Sequence, residues 1–301
     1  MSASTVACGD YLTTSKSPRH REALQHLFAR VSELSSFPGV AQRVLRVTDD
    51  EDAGADDLVR VVEQDPMLVI RILRTVNSPY CGLQSEVADL RSAVAILGFS
   101  KVRSLALTVY VARLMDQPDE YLGYSRTNLW RHLVSVGEAA RVISRVCMRA
   151  NPDEAYLTGL LHDLGYFLAD QYMQPSWRRV LQQIDAGAVP DEAERDVLTF
   201  TCSDLSAYMA ANSLLPERIC SAIAYHKKPE AFLGRDRELL NVLAAANYIA
   251  ESRGLTAIGR HSVDFLDDDV LRGLGIREGK MDELMQELAP ALEAAEALVE
   301  I

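Results

Sequence analysis

Apolar residues recur at helical spacing along most of the chain, and this pattern limits the possible fold more than any other feature. In the segment after Gln64, apolar side chains fall three and four residues apart and so share one face of a helix. They are Leu68, Val69, Ile72, Leu73 and Val76. No segment alternates between polar and apolar residues for long enough to predict a strand, and no fixed repeat period appears. The sequence therefore predicts an all-α fold.

Capping residues, proline and glycine divide this pattern into separate helices. Asp65 and Pro66 favour the start of a helix, since the first can cap it and the second can occupy its first turn. Asp89 is expected to open a further helix, and Gly98 to end it. These signals predict short helices with abrupt ends.

The same signals indicate two helical lobes. Five or so short helices are expected within residues 21–115, followed by a polar linker over residues 116–128 and a second lobe over residues 129–301. Residues 1–20 lack periodicity and are expected to be disordered or loosely attached. The helices predicted in the second lobe span residues 129–149, 153–172, 175–186, 190–200, 203–213, 215–227, 236–253 and 279–299.

Composition excludes several classes of protein. The net charge of -12, with no basic stripe, would repel a phosphate backbone, so we expect no nucleic-acid binding. No uncharged apolar run is long enough to span a membrane and no signal peptide is evident, so we expect a cytoplasmic protein that makes no membrane contact. The cysteines are scattered and odd in number, so reduced structural thiols are expected. They are Cys8, Cys81, Cys147, Cys202 and Cys220.

The motif GLLHDLG places an imidazole beside a carboxylate in an otherwise apolar helix. His162 and Asp163 are expected to form a buried polar notch, and an unpaired buried carboxylate is costly. A metal ion is one partner that would stabilise the notch. For a lone His-Asp pair, a buried hydrogen-bonded arrangement is the more common alternative.

These residues resemble the metal site of the HD superfamily of phosphohydrolases. In that family a His, a later His-Asp pair and a final Asp surround a divalent cation that activates water against a phosphoester. His132 and the pair His162-Asp163 match the first positions of this pattern, whereas Asn247 stands where the family has Asp. The resemblance implies that these side chains converge.

The closest resemblance is to the HD-related output domain (HDOD) branch of that superfamily. Residues 37–114 contain the patterns QDPxL, NSxxxG and LGxxxVRxL in order, as in the N-terminal lobe of HDOD proteins. The similarity continues through residues 215–217 and 222–226. It implies a two-lobed helical fold, with a five-helix lobe packed on a degenerate HD-type lobe.

Several positions depart from a complete HD site. Cys202 and Lys227 stand where fuller sites often have His, Asn247 replaces a carboxylate, and Tyr166 stands where the related HD-GYP enzymes have Lys. An amide is a weaker ligand than a carboxylate, and an ammonium group opposes a metal ion. His226 is either part of the same vestigial site or a cap of its own helix. The resemblance therefore implies a site that has lost its catalytic activity.

The function implied is a non-catalytic module of bacterial signal transduction that binds other signalling proteins, in circuits such as cyclic-di-GMP, motility, biofilm or stress signalling. One alternative is a metal-dependent phosphohydrolase that uses His132, His162 and Asp163. The other is a sensor that binds a cyclic nucleotide through Lys227 and Lys228. We expect no cofactor beyond a weakly held divalent metal, and the sequence leaves the oligomeric state open.

Overall fold

A computed structural model describes residues 39–50, 52–77, 83, 87–115, 120–213, 215–261, 266–276 and 278–299. The expected tail over residues 1–20 and the first expected helix lie outside these residues. The elements within them are helices, apart from one short hairpin, so the all-α prediction is confirmed. The chain divides into two compact units, with the boundary between Leu114 and Met115.

The first unit is a small helical bundle built around its last helix. Its helices are α1 (Gly39–Asp49), α2 (Ala55–Val62), α3 (Pro66–Val76) and α4 (Leu90–Leu114). Asp65 caps α3 by accepting a hydrogen bond from the backbone N–H of Leu68 at 3.3 Å, and Asp89 caps α4 through Ser92 at 2.8 Å. Both predicted helix starts are therefore confirmed. The core is formed by Val44, Leu58, Val62, Leu68, Ile72, Val76, Ala93, Val94 and Val102.

Helix α4 is interrupted at Gly98, where the sequence predicts a helix end. Gly98 has φ 76° and ψ 165°, a backbone conformation with positive φ that residues other than glycine rarely adopt. Among the described residues, α4 is the one helix long and apolar enough to cross a membrane, judged by length and composition alone. Its buried residues Ala93, Val94 and Val102 belong to the core of this unit, as in the central helix of an ordinary globular bundle.

The second unit begins with a hairpin that the sequence analysis missed. Strands β1 (Glu120–Tyr121) and β2 (Tyr124–Ser125) pair antiparallel, and the turn residues Leu122 and Gly123 both have positive φ. The prediction of no strand was wrong here, because two-residue strands are too short to show an alternating pattern.

Helices make up the rest of this unit. They are α5 (Arg126–Cys147), α6 (Pro152–Leu161), α7 (Leu164–Asp185), α8 (Pro190–Leu198), α9 (Cys202–Asn212), α10 (Glu217–Tyr225), α11 (Glu238–Ser252), α12 (Asp268–Leu274) and α13 (Glu278–Val299), with a short 3-10 turn at Pro229–Ala231. Helix α5 is central, since α6, α11 and α13 all pack against it. Its burial explains why both of its faces are largely apolar.

Two glycines allow α5 and α6 to approach closely. A Cβ atom on Gly159 of α6 would lie 2.7 Å from the Cα atom of Gly137 of α5, so only glycine fits at this crossing. His132 lies on α5 and His162 follows α6 directly. The crossing therefore brings the two imidazoles together.

A helix break that the sequence analysis missed falls at His162-Asp163, between α6 and α7. The break predicted before Pro175 is also present, as a kink inside α7. The loss of a backbone hydrogen bond at this proline is accommodated by non-helical angles at Met173, with φ -132° and ψ 28°. The break at His162-Asp163 leaves Asp163 at the start of α7.

Candidate functional site

Three buried imidazoles are held in the same way in the second unit. In each, Nδ1 faces a backbone carbonyl oxygen, which can only accept a hydrogen bond, so Nδ1 carries a proton. The contacts are His132 to Leu255 at 2.8 Å, His162 to Gly159 at 2.6 Å, and His226 to Ile223 at 2.7 Å. This turns each Nε2 toward a common centre, as in histidines that bind metals.

His132, His162 and Asp163 form a compact set of possible ligand atoms. The Nε2 atoms of the two imidazoles are 3.1 Å apart, and they lie 3.5 Å and 3.3 Å from Oδ2 of Asp163. Ligands about 2.1 Å from a tetrahedral ion are separated by about 3.4 Å. The spacing of these atoms therefore fits a divalent metal ion, and neither oxygen of Asp163 accepts a hydrogen bond in the described part of the chain.

His226 lies at the end of its helix and also approaches the cluster. Its Nδ1 donates to a carbonyl in the last turn of α10, while its Nε2 lies 3.7 Å from Oδ1 of Asp163. That Nε2 has no hydrogen-bond partner among the described residues. The imidazole is thus available as a further ligand on the Oδ1 side of Asp163.

Lys227 enters the cluster, whereas Lys228 does not. The Lys227 ammonium donates a hydrogen bond to the Tyr166 hydroxyl at 2.8 Å and lies 3.5 Å from Oδ1 of Asp163. Lys228 instead pairs with Asp191 at 2.8 Å, and about half of its side chain is exposed. The two adjacent lysines therefore have different surroundings, and each ammonium group already faces a carboxylate.

Asn247 is fully buried on α11, a helix that packs against α5. Neither its side-chain oxygen nor its nitrogen forms a hydrogen bond with the described residues. Glu251 lies one turn further along α11 and acts electrostatically on His132. The C-terminal part of α11 therefore contributes to the surroundings of the cluster.

Electrostatics divides the cluster into charged and neutral groups. Burial raises the pKa of Asp163, but Lys227 and the imidazoles outweigh it and hold the pKa well below its usual range. Burial lowers the pKa of His132, but the adjacent Asp163 carboxylate outweighs this effect and raises it above its ordinary value. Burial and repulsion by His162 lower the pKa of His226 to about 3, so this ring is neutral. An ionised carboxylate beside a neutral imidazole is suited to binding a cation.

Glu194 is a further buried carboxyl group that sequence reasoning missed. One of its oxygens accepts a hydrogen bond from the backbone N–H of Cys202 at 2.6 Å, and the other accepts none among the described residues. Burial raises the pKa of the Cys202 thiol well above its usual range, which agrees with the expected inert thiol. The segment PDEAERD is so polar that it offered no signal for a buried acid.

Replacing Glu194 with Gln is expected to change how stability depends on pH. Burial raises the pKa of Glu194 from 4.5 to about 7. This shift corresponds to a free energy of about 3 kcal/mol that favours the protonated form in the folded state. The unfolded chain releases this proton at a lower pH than the folded chain does. The protonated Glu194 carboxyl group therefore stabilises the folded state fully below pH 4.5, and this stabilisation is lost as the pH rises through about 7. Relative to wild type, Glu194→Gln should therefore gain stability between pH 4.5 and pH 8.

Urea unfolding at a series of pH values measures this effect. Glu192→Gln, on the exposed side of the same helix, provides the matched control and should follow the wild-type pH dependence. Parallel curves for wild type and Glu194→Gln would show that Glu194 does not titrate near neutral pH.

Comparison with known families identifies one match. The family model of the HDOD domain matches residues 34–229. A protein of unknown function from Treponema pallidum (strain Nichols) is 23% identical over 224 residues, which cover 72% of this chain and 42% of that protein. The chain therefore spans about two fifths of the length of that relative.

Solved structures show the same fold. An HDOD domain protein of unknown function from Geobacter sulfurreducens has a TM-score of 0.74 at 24% identity, covering 92% of this chain and 98% of its own. A protein from Marinobacter aquaeolei VT8, provisionally described as a signal transduction protein, has a TM-score of 0.73 at 23% identity, covering 94% and 66%. A provisionally described phosphohydrolase from Shewanella amazonensis SB2B has a TM-score of 0.70 at 21% identity, covering 90% and 97%.

Proposed function

Because the chain belongs to the HDOD domain family, we propose that it is a cytoplasmic regulatory module of bacterial signal transduction. It acts by binding other signalling proteins, in circuits such as cyclic-di-GMP, motility, biofilm or stress signalling, and its His-Asp cluster does not hydrolyse a substrate. The provisional description of the Marinobacter protein, which has the same fold, agrees with such a role.

The burial of the cluster is the observation that carries this proposal. His132, His162, Asp163 and His226 are each at most 1% exposed. A hydrolytic metal centre keeps one position open to water and admits the scissile bond beside it. Side chains buried to this degree expose almost no surface that a phosphodiester could approach.

Charge supports the same conclusion. The Lys227 ammonium lies 3.5 Å from Asp163, and Asn247 supplies an amide where the resemblance implies a carboxylate. Both differences reduce the negative charge available to a cation. The cluster is therefore better suited to stabilising the fold than to activating water.

A metal-dependent phosphohydrolase is the second candidate. The spacing of the possible ligand atoms in one group of three side chains favours it. His132, His162 and Asp163 would hold a divalent cation, whose chemistry when bound would be the activation of water against a phosphoester. The third candidate, a nucleotide sensor using Lys227 and Lys228, has less support because both ammonium groups face carboxylates.

A hydrolysis assay distinguishes these candidates. We expect wild type and Asp163→Asn to be equally inactive toward bis(4-nitrophenyl) phosphate and cyclic di-GMP, with either manganese or magnesium added. Asp163→Asn is the suitable variant because it removes the carboxylate charge and keeps the side-chain shape. Metal-dependent turnover in wild type that disappears in Asp163→Asn would overturn the proposal in favour of the phosphohydrolase.

A further inference from the structure

The environment of Lys227 is unusual for a lysine. Its side chain is only 6% exposed, and its ammonium group contacts the Tyr166 hydroxyl at 2.8 Å and the Tyr166 ring, whose centroid is 4.9 Å away. Lysine side chains are rarely buried unless an opposite charge accompanies them. The structure must therefore contain compensating negative charge near this ammonium group.

Buried carboxylates supply that charge. Asp163, Glu194 and Asp191 all act on Lys227 and, against the effect of burial, raise its pKa well above the usual range. Asp163 and Glu194 are themselves almost completely buried, at 1% and 0% exposure. Removing the ammonium group would take away a positive charge that acts on both of these buried carboxyl groups, a costly change in a buried site.

The same region contains electron-pair donors that form no hydrogen bond with the described residues. They are Oδ1 of Asp163, Nε2 of His226 and Oε1 of Glu194. Carboxylate oxygen and neutral imidazole nitrogen are the donor types that bind divalent first-row metals. Oδ1 of Asp163 is also the oxygen that faces Lys227, whereas Oδ2 faces His132 and His162.

We propose that the Lys227 ammonium is an internal cation that excludes a divalent ion from the Oδ1 side of Asp163, so that this one residue sets how many metal ions the cluster can hold. The Oδ2 side can bind one ion through His132 and His162. The Oδ1 side, where Nε2 of His226 lies 3.7 Å from the carboxylate oxygen, accepts another only when the positive charge of Lys227 is removed.

This inference builds on the proposed function, since both concern the same cluster, but the two are tested by different measurements. Hydrolysis tests the proposed function. The inference is tested by how many more metal ions Lys227→Met binds than wild type does. That difference is the same whether wild type binds no metal ion or one.

The experiment compares Lys227→Met with wild type and with Lys228→Met. Each protein is stripped with EDTA, dialysed against manganese or zinc and then against buffer, and its metal content is measured by inductively coupled plasma mass spectrometry. Lys227→Met should hold about one more equivalent per chain than wild type. Lys228→Met is the matched control, because its adjacent and half-exposed ammonium pairs with Asp191 outside the cluster, and it should match wild type.

Thermal unfolding gives a second measurement. A ligand that binds only the folded state raises its stability, so added manganese should raise the melting temperature of Lys227→Met more than that of wild type or Lys228→Met. Adding Asp163→Asn to Lys227→Met should abolish both the extra equivalent and the extra shift, because it removes the shared carboxylate.

Two results would overturn the inference. One is an unchanged metal content in folded Lys227→Met. The other is a failure of both Lys227→Met and Lys227→Gln to fold even with metal present, since a divalent ion then could not replace the ammonium group. Lys227→Gln is included because its amide can still bond to Tyr166.

Discussion

Replacing Gly165 with Ala should lower the free energy of unfolding by at least about 3 kcal/mol. A Cβ atom on Gly165 would lie 1.9 Å from the backbone carbonyl oxygen of Cys202. The Gly165 N–H also donates a hydrogen bond to Ser206 at 2.7 Å, so the first turn of α7 is held closely against α9. Neither backbone can yield without moving a helix, and a shift of α7 would also displace Asp163 and Tyr166.

Urea unfolding followed by far-ultraviolet circular dichroism measures this loss. Gly54→Ala is the control, because a Cβ atom there would meet Asp57 at 3.7 Å, an ordinary van der Waals distance. Its effect should stay within about 1 kcal/mol. If Gly165→Ala were no more destabilising than Gly54→Ala, the close approach of α7 and α9 would not exist in solution.

Replacing Asp170 with Ala is expected to cost about 3 to 5 kcal/mol, because it leaves a buried guanidinium group without its carboxylate. Nε of Arg126 lies 2.7 Å from Asp170, and both side chains are less than 10% exposed. Arg126 also donates to Gln171 at 2.7 Å and lies over the Phe167 ring, so it cannot easily turn toward solvent. The pair joins the start of α5 to α7.

An exposed ion pair in the same unit provides the control. Arg145 and Glu287 are also 2.7 Å apart, but their side chains are 44% and 50% exposed. Because exposed pairs contribute at most about 1 kcal/mol, Glu287→Ala should change stability little. Tryptophan fluorescence during urea unfolding reports on this unit through Trp130 and Trp177. Equal effects of Asp170→Ala and Glu287→Ala would show that burial does not strengthen the Arg126–Asp170 pair.

Several features of the fold could be predicted because they depend on neighbouring residues in the chain. Asp65 and Asp89 cap the helices that follow them, and Gly98 interrupts α4, since a cap or a left-handed angle is set by one residue and its next few neighbours. The helix break at His162-Asp163 could not be predicted in this way. Pro175 gave a clear local signal for the kink inside α7, whereas the apolar pattern runs on through His162-Asp163.

Some residues of the candidate site could likewise be found from the sequence, and others could not. The motif GLLHDLG and the upstream His132 drew attention to the cluster through their resemblance to HD proteins, and the structure brings His132, His162 and Asp163 together. Glu194 escaped notice because its helix is polar in sequence. It is buried only because α8 packs against α7 and the Glu194 carboxyl group meets the start of α9.

The sequence by itself determined that the chain is helical, where many of its helices begin and end, and which His and Asp residues are candidates for a common site. Periodicity and capping are local properties, so they can be read from the chain. Only the tertiary structure decided that the cluster is closed to solvent, and that Lys227 faces Asp163 while its neighbour Lys228 pairs with Asp191. Lys227 and Asp163 are far apart in sequence, and their contact depends on how α7 and α10 are positioned in the fold.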